Sequence, residues 1–143
     1  MRTGIMWAIA LTAALSLNVS SAQRPRRANI AVGALQGPEA ARPSLQRVMA
    51  TELRQADGVR VTGRGRAAYV VSAAVTRFEE RESPGRLELE CEVSLIVSRR
   101  RGGAVRAVLS GRAAARGAPN DRLRDSVVRA AIRGALRPIA EAL

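Results

Sequence analysis

The chain contains no histidine and no lysine, has a single cysteine, and only 2% of its residues are aromatic. Without histidine, the usual general base, the base of a Ser-His-Asp triad and the commonest metal ligand are missing. One cysteine builds neither a thiolate metal site nor an intrachain disulfide. The lack of lysine removes Schiff-base chemistry, a Ser-Lys dyad and the phosphate-binding lysine of a P-loop. Ser72, Ser94, Ser98, Ser110 and Ser126 are thus left without a base, and the enzymatic alternative, a cryptic hydrolase, would have to work with Asp, Glu, Arg or Tyr alone. The chain reads as non-enzymatic, with no catalytic, cofactor-binding or metal-binding residues. Arginine is what it has in excess: all 24 basic residues are arginine, against 12 acids.

Residues 1–22 follow the three-part pattern of an export signal. Arg2 is the positive start, residues 5–17 are mostly apolar, and residues 18–22 are small and polar, with Ser20 and Ala22 at the small positions of a cleavage site. The pattern predicts cleavage after Ala22 and a periplasmic or secreted chain, soluble, starting at Gln23. The apolar run is shorter than the roughly 20 residues that cross a bilayer. No cysteine follows it to carry a lipid, and no second run of that kind appears, so the mature chain is expected to lack a transmembrane segment. Removing residues 1–22 takes away Arg2 and no acid, so the remaining 121 residues still hold 23 arginines against 12 acids. Residues 23–28 form an arginine-rich lead with Arg24, Arg26 and Arg27, and residues 29–143 form a single domain. Trp7 leaves with the signal, so Tyr69 and Phe78 are the only aromatics and the core must be aliphatic.

Ile30, Val32 and Ala34 alternate along residues 29–35, which predicts a first strand ending at Gly37-Pro38. Leu45, Val48, Met49 and Leu53 recur at three and four, the helical period, over residues 43–55, with Asp57-Gly58 as the stop. A short strand at residues 59–62 leads into Gly63-Arg64-Gly65-Arg66, which precedes a strand rather than a helix and so fails as a nucleotide fingerprint. Residues 69–79 are β-branched and strand-like. Residues 86–99 alternate, with Leu87, Leu89, Cys91, Val93, Leu95 and Val97 on one face and Glu88, Glu90, Glu92, Ser94, Ile96 and Ser98 on the other. Residues 104–116 place Val105, Ala107, Leu109, Gly111 and Ala113 on one face. Centring the turn on Gly102 pairs residues whose numbers sum to 204, so Glu92 faces Arg112, Glu88 faces Arg116, Leu95 faces Leu109 and Ile96 faces Val108. Residues 120–143 close the chain as a second helix, capped by Asn120 or Asp121 and interrupted at Pro138. The predicted fold is α+β, a two-layer sandwich of a mainly antiparallel sheet of about five strands with two helices packed on one face.

Three phrases resemble a group of bacterial envelope domains. These are the helix Leu45-Gln-Arg-Val-Met-Ala-Thr-Glu-Leu53 running to the strand Gly58-Val-Arg-Val-Thr62, the strand Ala68-Tyr-Val-Val-Ser-Ala-Ala-Val-Thr-Arg-Phe78, and the helix Val128-x-Ala-Ala-Ile132. The group comprises the curli-secretion channel subunit CsgG, the penicillin-binding-protein activator LpoB and the N-terminal domain of TolB, and the likeness spans most of residues 29–143. It implies a non-enzymatic periplasmic domain that acts by binding another envelope protein. Pore-building insertions and a following propeller are lacking, which implies a small free-standing member.

The remaining candidates are charged. Glu88, Glu90 and Glu92 share one strand face and are expected to be partnered by arginines across the sheet rather than to bind Ca²⁺, which needs a folded loop of oxygens. Cys91 is expected to be buried and unreactive. Arg99, Arg100 and Arg101 at a hairpin tip and Arg64 and Arg66 in a loop are the candidate contacts for an anion or a partner, since exposed guanidinium forks suit phosphate and carboxylate. Envelope polyanions such as lipopolysaccharide, anionic lipid or anionic polysaccharide are the matching ligands. Export argues against nucleic acid as a partner in the cell.

Overall fold

The computed structural model describes residues 26–143, and the export signal, its cleavage site and Arg24 lie outside them. The order is β1 (Ala28–Gln36), α1 (Arg42–Gln55), β2 (Val59–Val61), a single 3₁₀ turn (Arg64–Arg66), β3 (Tyr69–Ser83), β4 (Arg86–Arg99), β5 (Val105–Gly117), α2 (Asp121–Leu136) and α3 (Ile139–Ala142). The five strands form one sheet in the order β2-β1-β3-β4-β5.

A β-α-β connection returns parallel, and α1 brings β2 back beside β1 with Ile30 opposite Val61. The 3₁₀ turn then carries the chain to the other side of β1, where β3 also pairs in parallel, Ile30 opposite Tyr69. Only β3, β4 and β5 form the antiparallel meander, through their long ladders. The sheet is therefore mixed, though mostly antiparallel by paired length.

The β4–β5 ladder follows the expected register from Leu87↔Gly117 through Glu92↔Arg112 and Ile96↔Val108 to Val97↔Ala107. At the next rung it departs. Ser98 pairs with Val105, so Arg106 occupies a bulge and Val105 turns away from the core, 60% exposed. Its expected place on the inward face is thus corrected by one extra residue in β5.

One hydrophobic cluster joins the sheet to the helices. Leu45, Val48, Met49 and Leu53 of α1, the alternating Leu/Val row of β4 with Cys91, and Val127, Val128, Ala131 and Ile132 of α2 are all buried. Each large aliphatic side chain removed from water in this way stabilises by roughly 1.5–3 kcal/mol. Gly111 sets how closely α2 approaches: a Cβ there would run into the Ala131 carbonyl oxygen and the Ala135 nitrogen. The Asn120 side chain caps α2 by accepting from the Leu123 amide at 2.9 Å, and the helix ends at Leu136, before Pro138. No helix of the described residues is long and apolar enough to cross a membrane.

Candidate functional site

The pairing pattern brings several chain segments to one end of the sheet. Parallel β1, β2 and β3 all start there, and antiparallel β4 ends there, with Tyr69 opposite Arg99. The turn after β4 runs through Gly102 and Gly103, both at positive φ (81° and 66°), a conformation that disfavours larger side chains. It is strapped to the start of β3: the Arg100 amide donates to the Ala68 carbonyl at 2.9 Å, and Arg100 Nε donates to the Ala67 carbonyl at 2.8 Å.

Arg66, Arg99, Arg100 and Arg101, with Tyr69 at the wall, line a groove of about 450 Å³. No acid lines it, and among the described residues none of these four arginines forms an ion pair. Four of the five candidate arginines thus come together. Arg64, two residues from Arg66 in the same 3₁₀ turn, does not line the groove. Arg100 also differs from the sequence expectation of a freely projecting tip, because the backbone fixes its guanidinium.

The other candidates have structural partners. Arg116 is paired with Glu88, and Arg112 lies 3.4 Å from Glu92 and 3.7 Å from Glu90. Among the described residues no cluster of three or more His, Cys, Asp or Glu side chains could hold a metal. Cys91 is wholly buried, and loss of water around the thiolate pushes its pKa up to about 11.

Two features had no role in the sequence reading, although its register already set Ile96 opposite Val108 on the outer face. Ile96 and Val108, opposite one another on the face away from the core, are 41% and 64% exposed. Glu52 is buried between the helices, held at both oxygens by Arg133 (3.0 and 3.2 Å) and at 3.3 Å by Arg129. Ile96 did break the alternation of β4, and Glu52, four residues after Val48 and three after Met49, falls on the apolar stripe of α1 by helical period, a signal of burial that its charge masked.

These residues define an α+β domain on a mixed five-stranded sheet, with an acid-free arginine groove at one end. At the level of fold the chain is similar to PelC from Paraburkholderia phytofirmans, solved as a dodecamer (24% identity, 79% of this chain and 89% of that chain, TM-score 0.61). It is also similar to a DUF330-family protein from Xanthomonas campestris (12% identity, 84% and 85% covered, TM-score 0.57). A minor lipoprotein from Acinetobacter baumannii shares the architecture as well (14% identity, 79% and 92% covered, TM-score 0.50). No protein-family model matches the chain, and no curated protein matches it in sequence.

Proposed function

We propose that the protein is an exported, non-enzymatic accessory component of the bacterial envelope that works by binding another envelope protein. The export pattern of residues 1–22, the shared fold with a lipoprotein, and the likeness of its helix and strand phrases to the CsgG, LpoB and TolB group all support this reading. In it the two helices form one layer on one face of the sheet, and the opposite face is the binding surface.

The observation that carries the reading is on that opposite face. Ile96 and Val108 stay exposed side by side in a chain that buries most of its large aliphatics, and beside them β5 pairs with β4 alone among the described residues. A 13-residue edge strand with an apolar flank offers both backbone hydrogen bonds and burial to a partner. PelC is a dodecamer, so a second copy of this chain is the first partner to test.

Crosslinking and size-exclusion chromatography of the purified protein, alone and with envelope extract, provide the test. An association through this face should survive about 0.5 M salt, where exposed charges are screened, and should be lost on replacing Ile96 and Val108 by Asn. A complex that dissolves in salt, or that the double variant leaves intact, would remove this face as the binding surface.

A further inference from the structure

The arginine groove is a different surface from the Ile96/Val108 face, and its chemistry selects a different ligand. Guanidinium forks match phosphate oxygens two at a time, and a groove without carboxylates leaves those donors free. Arg100 is held in place by the Ala67 carbonyl, so one fork is already oriented before anything binds.

Two observations point to a membrane as the source of the phosphate. Val105, displaced outward by the bulge at Arg106, stands 60% exposed opposite Ser98, on the sheet face of Ile96 and Val108 but at its charged end, directly after the turn that carries Arg101. The start of β1 lies at this same end, and Arg26 and Arg27, exposed just before it, add two further guanidinium groups to a surface that favours anionic headgroups. The carboxylates of β4, Glu88 and Glu90, lie toward the opposite end of the strand. Asp57, in the turn into β2, lines a separate depression with Arg133 and Arg137.

We propose that this end of the sheet docks on an anionic phospholipid surface, its guanidinium groups on headgroup phosphates and Val105 at the apolar boundary. This does not depend on the protein partner proposed above, and the Ile96/Val108 double Asn variant should bind vesicles as the parent does.

Co-sedimentation of the full protein with vesicles of phosphatidylcholine, with and without phosphatidylglycerol, tests it. Binding should require phosphatidylglycerol and fall steeply with salt. A triple variant, Arg66→Ser with Arg99→Ser and Arg101→Ser, leaves the Arg100 strap intact and should weaken binding on the order of a hundredfold, at about fivefold per charge removed near such a surface. Val105→Asn should weaken vesicle binding severalfold while leaving any affinity for soluble polyphosphate unchanged. Equal binding to both vesicle types, or an unaffected triple variant with native circular dichroism, would overturn the proposal. Polyphosphate binding as tight as vesicle binding, with Val105→Asn neutral toward both, would assign the groove to an anionic polymer and overturn it as well.

Discussion

The two ends of the sheet use the same residue in opposite ways. Toward the end where β3 turns into β4, Arg116, Arg112 and Arg124 face Glu88, Glu92 and Glu80, with Arg124 Nε only 2.8 Å from its carboxylate. At the other end Arg66, Arg99 and Arg101 have solvent in front of them and no acid in the groove they line. An all-arginine composition therefore says nothing about role. What decides it is the local supply of carboxylates, which pairs the guanidinium groups at one end and leaves donors free at the other. The seam between α1 and α2 is a third case, in which Glu52 is buried and its two arginines are not.

That seam gives the largest effect. Converting Arg129 and Arg133 together to Met strands the Glu52 carboxylate, whose side chain is 3% exposed, and should lower stability by about 3 kcal/mol in urea titration. Glu52→Gln should cost clearly less, because Arg129 and Arg133 are 46% and 60% exposed and can turn to water. If the two variants were equal, the asymmetry drawn here between buried acid and solvated base would be wrong.

At the paired end, Arg112→Glu places like charges across β4–β5 and should cost up to about 1 kcal/mol, partly recovered on adding Glu92→Arg. Absence of coupling in that double-mutant cycle would reduce the ion pair to coincidence. At the open end, Arg99→Ser with Arg101→Ser should stay within about 0.5 kcal/mol of the parent. Arg100→Ser should cost about 1 kcal/mol, since it breaks the bond to Ala67. A tip pair as costly as Arg100 would show that the open end also carries structure.

The smallest effect is a pH dependence. The hydrogen bond from Arg47 holds the Asp125 carboxyl below its ordinary value, and Arg77 does the same for Glu79. Because both folded-state values are depressed, their stabilisation is present above the ordinary carboxylate range, about pH 4, and is lost as the pH falls below it. Arg47→Met should flatten the acid limb of the stability profile and leave the residual slope due to Glu79.

The β4–β5 ladder was legible because a tight turn and a period of two leave one register in which the Leu/Val row stays buried, and that register also matches Glu92 to Arg112. Helix α1 was legible for the same kind of reason, through Leu45, Val48, Met49 and Leu53. The parallel setting of β1 was not, because alternation is the same whichever way a neighbour runs. Nor was the bulge: Val105 is apolar and fits the inward face on paper, and only the pairing of Ser98 reveals that it turns out. The groove depended on neither: it needed the β3–β4 register, which sets Tyr69 opposite Arg99 and so brings Arg66 to Arg100, and alternation alone did not fix that register.

The interior position of β1, between β2 and β3, has a consequence in time. A chain that emerges N-terminus first, from a ribosome or through a translocation channel, presents β1 long before the residues that flank it. Ile30 waits for Val61 on one side and Tyr69 on the other, whereas β3, β4 and β5 can close on one another locally. Pairing across such sequence distances is slow, and an unpaired strand is a site for wrong associations meanwhile. Folding is thus a matter of waiting: β1 stays unpaired until residues 59–83 have arrived, whereas each strand of the meander pairs with the one before it.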